Sequence, residues 1–382
     1  MPKPKTTKGN PIQVAIRDWI ESTTFENTET NQTWQDELLN SAPKRFTIYE
    51  PMALLPTGSF TNIPWTTTLQ GVGQDTRDWL WSRILKELSR QAKEPLTHLA
   101  VNEGIPLHKA EGEAEENVLR SPSGLRTFYG DFGPTSTSTE GPSQQDFDRT
   151  LWVSTKQNGI FQTWAPRWTM FSRGNVKEKA RLLDMGDTVK GGNQDEKWAV
   201  DLYAGIGYFV FSYARLGLRV LCWEINPWSV EGLRRGARAN GWSVRIVQGD
   251  DLTLPEEEIL GGEEQIVVFL ESNEEARRRI QSIQARGTAR DIRHINCGFL
   301  PTSEPTWRHT WDMSTPSSET RLHLHENVGA NDTETRRSEI QRIFDGWGEG
   351  TGRAAEVEHV ELVKTFAPGV WHCVFDVRVY NI

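Results

Sequence analysis

Residues 198–209 read Trp-Ala-Val-Asp-Leu-Tyr-Ala-Gly-Ile-Gly-Tyr-Phe, and this stretch decides the fold class. An apolar run that ends in a glycine turn and opens a helix is the start of a nucleotide-binding βαβ unit, in which Gly205 and Gly207 let the backbone approach a ligand. A second apolar run follows and ends in Glu224. In such units an acidic residue roughly 20 positions beyond the glycine turn binds the ribose hydroxyls. The stretch therefore predicts an α/β sheet with a nucleoside-binding edge.

The glycine pattern distinguishes between the candidate ligands. Val210 stands where a dinucleotide-binding Gly-x-Gly-x-x-Gly motif carries its third glycine, which disfavours a nicotinamide dehydrogenase. Asp201 before the turn and Phe209 after it fit the Asp-x-x-x-Gly-x-Gly-x-Phe form of S-adenosylmethionine sites. The alternative is a βαβ unit whose glycines serve tight packing only. Acidic residues after the next two predicted strands favour cofactor binding.

Polar residues follow two later predicted strands. Val244–Gln248 is predicted as the third strand, and the carboxylates of Asp250 and Asp251 are expected to face the adenine of the cofactor. A later strand, broken by glycine and proline, carries Asn296 and Glu304. Ligands of parallel sheets bind outside the carboxyl ends of strands, so these two residues are candidate catalytic groups that hold or polarise a substrate base. Either residue also fits the plainer role of satisfying backbone groups at the strand end.

The composition restricts the class of protein. The chain has 382 residues, enough for two domains or for one large domain with an appendage. It has no run of eighteen apolar residues and no secretory apolar segment at its start, so we expect a cytoplasmic protein without a membrane span. Three scattered cysteines and eight histidines without an HExxH context predict neither a disulfide framework nor a metal site. A net charge of −9 argues against a basic coat but allows a local basic groove.

Changes in composition divide the chain into three segments. Residues 1–41 are polar apart from one helical stretch, Ile12–Glu21, and are interpreted as a mobile leader. Residues 42–183 combine short apolar strands, a helix and a Ser/Thr/Gly/Pro loop, which predicts a small α+β module. Residues 184–382 carry the alternating strands and helices of the predicted sheet.

Two groups of cations are candidates for binding phosphates or a carboxylate, although solvated helix faces explain them as well. One surrounds the turn before the sheet and the other follows a strand; they comprise Arg167, Arg173, Lys177, Lys179 and Arg181, and then Arg277, Arg278, Arg279, Arg286, Arg290 and Arg293. His323 and His325 lie on one strand face by period two, a pattern that also occurs at metal sites. No third ligand accompanies them, so packing and hydrogen bonding are the favoured roles.

Seven blocks in the same order resemble the tRNA wybutosine-synthesizing protein 2 family, a sister group of the tRNA guanine-N1 methyltransferases. They span about Ala42 to the C-terminus and read Arg120-Ser-Pro-Ser-Gly to Gly130-Asp-Phe-Gly, Met170-Phe-Ser-Arg-Gly-Asn to Glu178-Lys-Ala-Arg, Asp201-Leu-Tyr-Ala-Gly-Ile-Gly-Tyr-Phe, Glu224-Ile-Asn-Pro, Asn296 to Ser303, Leu322-His-Leu-His-Glu-Asn, and Val363-Lys-Thr-Phe-Ala-Pro-Gly. The resemblance implies a class I S-adenosylmethionine-dependent methyltransferase-like fold, a Rossmann-type sheet with a smaller N-terminal α+β module.

The resemblance also implies a reaction. The family transfers the 3-amino-3-carboxypropyl group of S-adenosylmethionine to C7 of 4-demethylwyosine at position 37 of tRNA(Phe), a step of wybutosine biosynthesis. We expect the anticodon loop as partner, because loop bases can be splayed out and stacked on aromatic side chains. Residues 42–183 and the two groups of cations are expected to face the tRNA, and other wybutosine-pathway enzymes are candidate partners. The alternatives are a tRNA guanine-N1 methyltransferase acting at the same position and a non-catalytic tRNA-binding protein.

Carried over by position, the resemblance implies specific cofactor contacts. Ser172 and Lys179 lie in the basic turn, where Lys179 suits a carboxylate as a point charge. Glu224 is expected at the ribose, and Asp250 with Asp251 near the adenine.

Two departures from the sister methyltransferases favour the aminocarboxypropyl branch. Those enzymes carry Phe-Ser-Pro-Arg where this chain reads Phe171-Ser172-Arg173-Gly174, and a compact Asn-Leu-Pro where Asn296 is here separated from Pro301. The chain also carries long inserts at Gly186–Glu196 and around Glu263–Arg290, to which the resemblance assigns no role.

Overall fold

The computed structural model describes residues 9–25, 32–102, 122, 124–139, 141–185, 196–315 and 317–382. The chain forms two compact units. The first comprises Met1–Thr155 with Trp164–Met170, and the second comprises Lys156–Thr163 with Phe171–Ile382. The predicted insert at Gly186–Glu196 lies outside the described residues except for Glu196. Within the described ranges, no helix is both long and apolar enough to cross a membrane.

The first unit is an α+β arrangement built on a small mixed sheet. Its elements in chain order are α1 (Pro11–Ser22), α2 (Gln32–Ser41), β1 (Thr47–Tyr49), β2 (Met52–Leu55), α3 (Ile63–Gln70), α4 (Gln74–Ser89), β3 (His98–Val101), β4 (Arg126–Tyr129) and α5 (Gln144–Arg149). The strand order is β1-β2-β3-β4, with β2 and β3 parallel and the outer pairs antiparallel. A two-stranded ribbon, β5 (Val153–Gln157) with β6 (Ile160–Trp164), follows, and the chain passes between the two units within it.

The helical stretch predicted at Ile12–Glu21 is found as α1, but the interpretation of most of residues 1–41 as a mobile leader does not hold for α1 and α2. The side chain of Asn10 caps α1, and Pro11 occupies its first turn. One face of α1 is buried in the core of the first unit and consists of Ile12, Ala15, Ile16, Trp19 and Ile20. The Trp19 indole donates to the Thr76 carbonyl at 2.9 Å, and its ring stacks on Trp65 at 6.2 Å. The polar average of this segment hides an apolar stripe at helical spacing, and that stripe decides its structure.

The second unit is a large sheet with helices. Its elements are α6 (Val176–Asp184), β7 (Trp198–Asp201), α7 (Val210–Arg215), β8 (Arg219–Glu224), α8 (Pro227–Asn240), β9 (Val244–Val247), α9 (Glu256–Leu260), β10 (Ile266–Leu270), α10 (Ala276–Ala285), β11 (Ile292–Cys297), α11 (Trp307–Met313), β12 (Glu319–Gly329), α12 (Thr333–Gly348), β13 (Arg353–Ala367) and β14 (Val370–Asn381). The strand order is β13-β14-β12-β11-β7-β8-β10-β9. Adjacent strands from β12 to β9 in this order are parallel, and β14 is antiparallel to both of its neighbours. The predicted α/β sheet is confirmed.

The position of β10 differs from the expected arrangement. The sequence predicts Val244–Gln248 as the third strand, beside the cofactor. This strand is β9, but β10 lies between β8 and β9, so β9 is at the sheet edge. In this register Leu270 is paired with Glu224. The stretch Glu263–Arg290, identified as an insert, therefore supplies an internal strand and the helix α10. Its apolar side chains join the core and include Ile266, Val267, Val268, Phe269, Ile280 and Ile283.

Helix α6 is fixed to the sheet by a buried group of charges. The Arg181 guanidinium donates to both carboxylate oxygens of Glu178, at 2.9 and 2.6 Å, and also binds the carboxylate of Asp376 on β14. Glu178 is fully buried and Asp376 is 2% exposed. Burial alone would raise the pKa of Asp376, but His323 and Arg181 hold it well below its usual range. Helix α6 thus belongs to the second unit. The boundary predicted after residue 183 lies later in the chain than the division between the two units, which precedes Phe171.

Trp19→Ala tests whether α1 belongs to the core of the first unit. We expect a loss of about 3–5 kcal/mol in the free energy of unfolding, because the substitution removes a large buried side chain and leaves a cavity. Urea unfolding followed by circular dichroism measures it. Glu21→Ala, on the exposed face of α1, is the matched control and should change stability by less than about 0.5 kcal/mol. Equal stabilities of the two variants would restore the mobile-leader interpretation.

Arg181→Met tests the anchoring of α6. We expect a loss of about 3–5 kcal/mol, because two buried carboxylates lose their cation. The control is Arg278→Met, which removes an exposed ion pair with Glu275 and should cost less than about 1 kcal/mol. Urea unfolding of the two variants side by side gives the difference. A cost for Arg181→Met as small as that of the control would show that α6 is held by other contacts.

Candidate active site

The glycine turn between β7 and α7 has backbone conformations that require glycine. Gly205 has φ +53° and Gly207 has φ +89°, both in the left-handed region. A Cβ at Gly207 would lie 2.6 Å from Cε1 of Phe211, and one at Gly205 would lie 2.9 Å from the Tyr208 ring. The turn is closed by a hydrogen bond from the Gly207 N–H to the Ala204 carbonyl at 2.9 Å. The turn therefore packs closely at the carboxyl end of β7, where parallel sheets bind their ligands.

Glu224 fixes this turn to the next strand. Its carboxylate accepts from the Gly205 N–H at 2.8 Å and from the Asn226 N–H at 2.7 Å. Burial raises its pKa, and the bonds from these backbone groups oppose that rise. A carboxylate has about four acceptor positions, so beside the backbone donors of Gly205, Asn226 and Ile225 it keeps capacity for a further donor such as a ribose hydroxyl. Asn226 then caps α8, with Pro227 in its first turn.

Two unsatisfied acceptors lie beneath the turn. The Asn296 amide donates to Oδ1 of Asp201 at 3.1 Å, and both side chains are fully buried. Among the described residues, Oδ2 of Asp201 and Oδ1 of Asn296 have no hydrogen-bond partner. Burial raises the pKa of Asp201 to about 6. Because buried acceptors are normally paired, these two oxygens fit a donor supplied by a ligand, such as an ammonium group.

Lys179 lies in a cage of neutral groups beside the same turn. Its Nζ donates to the amide oxygens of Gln157 and Gln162, at 2.6 and 2.7 Å. The Phe171 and Tyr208 rings lie 5.7 and 5.8 Å from it. Burial lowers the pKa of Lys179 to about 8. In the part of the chain that the structure describes, no carboxylate forms an ion pair with it, and one of its three N–H donors remains for an anion.

Ser172 joins the basic turn to the glycine turn. Its N–H donates to the Tyr208 hydroxyl at 3.1 Å, and its Oγ accepts from Nζ of Lys364 at 3.1 Å. The sequence motifs at Ser172, Lys179, Gly205 and Glu224 are thus connected through shared contacts. Their positions in the chain alone did not imply these contacts.

Asp250 and Asp251 are not placed beside Glu224. Both are exposed and lie in the short 3-10 helix Gly249–Thr253 that follows edge strand β9. The strand next to β8 is β10, which is followed by Glu271, Ser272 and Asn273. The Asn273 amide donates to the Leu202 carbonyl at 2.9 Å, at the end of β7. The strand order therefore favours residues 272–273 over Asp250 and Asp251 as neighbours of a ligand at Glu224.

The second catalytic candidate, Glu304, is exposed and engaged by a cation. Its carboxylate accepts from Arg336 at 2.7 Å, and Arg336 also pairs with Glu326 and Glu339. Asn296 is buried against Asp201, so one catalytic candidate lies in the interior of the unit and the other lies at its surface. An amide such as Asn296 can orient a substrate, but it is too weak a base to remove a proton.

The histidines of β12 hydrogen-bond in pairs. His323 binds Asp376 at 2.7 Å through Nδ1 and His294 at 3.0 Å through Nε2, and His325 binds His372 at 2.9 Å. The favoured interpretation of packing and hydrogen bonding is confirmed. No group of three or more His, Cys, Asp or Glu side chains suited to a metal ion occurs among the described residues.

Sequence reasoning missed several polar residues at this site. Gln157 and Gln162 were available from the Asn158-Gly159 turn, because a hairpin brings its two strands together. Asn273 had no local signal, and Lys364 lay in one of the seven blocks without a sign of its role, since only the strand order and the sheet register place them here. The buried acceptors, the caged lysine and the free capacity of Glu224 together fit a ligand with a ribose, an ammonium and a carboxylate, as S-adenosylmethionine has.

Sequence comparisons agree with this geometry. Residues 154–284 match the TRM5/TYW2 methyltransferase domain. The tRNA wybutosine-synthesizing protein 2 of Schizosaccharomyces pombe is 41% identical over 339 residues, which cover 88% of this chain and 72% of that protein. The protein of the same name from Saccharomyces cerevisiae is 34% identical over 379 residues, covering 90% of this chain and 75% of that protein.

Solved structures confirm the fold. Pyrococcus horikoshii TYW2 in complex with MeSAdo has a TM-score of 0.57 at 18% identity, over 97% of this chain and 100% of that chain. Wild-type Trm5b from Pyrococcus abyssi has a TM-score of 0.51 at 15% identity, over 94% of this chain and 81% of that chain. The fold is that of the S-adenosylmethionine-dependent methyltransferases. Because two relatives at 41% and 34% identity are each covered over more than 70% of their length, the chain belongs to the tRNA wybutosine-synthesizing protein 2 family.

Proposed function

We propose that this chain transfers the 3-amino-3-carboxypropyl group of S-adenosylmethionine to C7 of 4-demethylwyosine at position 37 of tRNA(Phe). The observation that carries the proposal is the 41% identity, over 88% of the chain, to a tRNA wybutosine-synthesizing protein 2. The protein is an S-adenosylmethionine-dependent transferase of this family, and the cofactor serves as group donor. What remains to be assigned is the role of each side chain.

Glu224 binds the ribose hydroxyls in this proposal. Its position at the end of β8, with its oxygens directed at the Gly205 and Asn226 N–H groups, supports that role. Gly205 and Gly207 allow the tight turn at this edge, since a Cβ at either position would collide with the ring of Tyr208 or Phe211. Asp250 and Asp251 are candidates for binding the adenine, but the strand order supports Ser272 and Asn273 more strongly.

The amino-acid arm of the donor is bound at its two charged ends. The unsatisfied Oδ2 of Asp201 suits its ammonium group, and Lys179 with Ser172 suits its carboxylate. Such contacts decide which carbon on the sulfonium meets the nucleobase, because holding reacting atoms at near-attack distance provides much of the rate. Orientation of the arm therefore separates aminocarboxypropyl transfer from methyl transfer.

The transfer itself needs little chemical assistance from protein side chains. A carbon–carbon bond forms between C7 of the base and the methylene of the arm while the carbon–sulfur bond breaks. The electron pair leaves with sulfur as a neutral thioether, and the proton of C7 passes to solvent. Asn296 is our candidate for orienting the base. Glu304 is a weaker candidate because Arg336 occupies its carboxylate.

We further propose that the anticodon loop of tRNA(Phe) is bound by residues 42–183 and by the exposed members of the two groups of cations. Arginines that are exposed on α10, such as Arg278, can contact phosphates. Arg279 is excluded from this role, since it is 3% exposed and pairs with Glu271. A cytoplasmic location and contacts with other enzymes of the pathway are part of the same proposal.

The decisive experiment incubates the protein with S-adenosylmethionine and tRNA(Phe) that carries 4-demethylwyosine. Mass spectrometry of the digested tRNA is expected to show the aminocarboxypropyl adduct, and chromatography to show methylthioadenosine as the remaining nucleoside. A methyl adduct with adenosylhomocysteine would identify a methyltransferase instead. Binding of tRNA without any heat of S-adenosylmethionine binding would identify a non-catalytic tRNA-binding protein.

Glu224→Ala should weaken S-adenosylmethionine binding by about tenfold to hundredfold, because hydrogen bonds to a charged group contribute roughly 1.5–3 kcal/mol. Isothermal titration calorimetry measures the affinity, and an unchanged circular dichroism spectrum establishes that the variant folds. Glu334→Ala, at a carboxylate with 81% exposed side chain on α12, is the control. Affinity of Glu224→Ala equal to that of the control would contradict the ribose assignment.

A further inference from the structure

Lys364 on β13 is a partly buried cation without a carboxylate partner in the described part of the chain. Its Nζ donates to Oγ of Ser172 at 3.1 Å, a neutral acceptor. Burial lowers the pKa of Lys364, and no neighbouring carboxylate opposes this change. A cation that has lost part of its hydration is normally compensated by an anion. The side chain is therefore suited to an anionic ligand.

Gly174 makes room for this lysine. A Cβ at position 174 would lie 2.7 Å from Nζ of Lys364 and 3.0 Å from its Cε, closer than side-chain atoms pack. Gly174 lies in the 3-10 helix Arg173–Asn175 and does not have a positive φ, so its backbone does not require glycine. The missing side chain at this position therefore makes space for Lys364, and the backbone conformation of the turn does not depend on it.

The neighbours of Lys364 belong to the proposed site. Ser172, which accepts from Lys364, donates its N–H to the hydroxyl of Tyr208 in the glycine turn. The Tyr208 ring is in turn 5.8 Å from Nζ of Lys179. Two lysines with no carboxylate partner among the described residues thus approach Ser172 and Tyr208 from different elements, one from α6 and one from β13.

We propose that Lys364, admitted by Gly174, acts with Lys179 to bind the carboxylate of the arm that is transferred. This inference rests on the proposed function and adds a specificity-determining residue to it. The arm carries the only carboxylate of the donor. Two cations that bind this carboxylate therefore hold the arm by the end that is remote from sulfur. A tRNA phosphate is the competing anion; the partial burial of Lys364 and its bond to Ser172 favour the smaller ligand.

The test compares ligands that differ in the carboxylate. Calorimetry measures the affinities of S-adenosylmethionine, of decarboxylated S-adenosylmethionine and of methylthioadenosine for the wild type and for Lys364→Met. We expect the variant to bind S-adenosylmethionine about tenfold to hundredfold more weakly, as for the loss of a hydrogen bond to a charged group. The two ligands without a carboxylate should change by less than about twofold. Lys364→Arg, which keeps the charge, should retain more affinity than Lys364→Met.

Gly174→Ala provides an independent test. The three atoms nearest to the new methyl group all belong to the flexible side chain of Lys364, so the variant should fold and should show the same ligand pattern with a smaller loss. In a Lys364→Met background Gly174→Ala should have no further effect. A matched control is Lys156→Met, an exposed lysine 4.8 Å from the Phe161 ring, which should leave all three affinities unchanged.

Three outcomes would overturn the inference. Equal losses for all three ligands would show that Lys364 only supports the fold of the site. Unchanged S-adenosylmethionine affinity with weaker tRNA binding would assign Lys364 to an RNA phosphate. Additive effects of Gly174→Ala and Lys364→Met would show that the glycine acts independently. Failure of the wild type to make the aminocarboxypropyl adduct, with these binding results intact, would instead refute the proposed function alone.

Discussion

The arrangement of this site depends on the carboxylate of Glu224. One oxygen accepts from the Gly205 N–H and the other from the Asn226 N–H, so a single side chain joins the turn after β7 to the first turn of α8. Without it, two backbone donors at the sheet edge would lose their acceptors, which is costly where water is partly excluded. The glycine turn and the start of α8 are therefore joined through one position, and that position also carries the proposed ribose contact.

The remaining polar groups of the site lack a full set of partners. Asp201 and Asn296 have unsatisfied acceptors next to the glycine turn, while Lys179 and Lys364 are cations that bond only to neutral oxygens. Arg181, by contrast, is paired with Glu178 and Asp376, whereas buried Arg353 also bonds only to neutral oxygens. A ligand that carries both an ammonium and a carboxylate would complete both sets. The amino-acid end of S-adenosylmethionine has this combination, and holding it decides which arm of the sulfonium is transferred.

The sequence alone determined the parts that depend on local patterns. The apolar run, the glycine turn and the acidic end of the next strand predicted the sheet, the cofactor class and Glu224, because positive φ and strand alternation follow from neighbouring residues. The ordered motifs predicted the family, which the relatives confirm. The interpretation of residues 1–41 was wrong for α1 and α2 because average polarity was weighed above helical spacing, a signal that the sequence did contain.

Only the tertiary structure decided what depends on strand order and on contacts between distant segments. Asp250 and Asp251 follow a strand of the expected kind, yet β10 takes the place beside β8, and no local pattern reports which of two parallel strands will do so. Ser172 and Lys364 are 192 positions apart and meet because β13 pairs with β14 and the basic segment lies against β13. The burial that lowers the pKa of Lys179 is likewise a property of the packed structure. Local conformation follows from covalent neighbours, whereas solvent exclusion and pairing of charges require the whole chain to be folded.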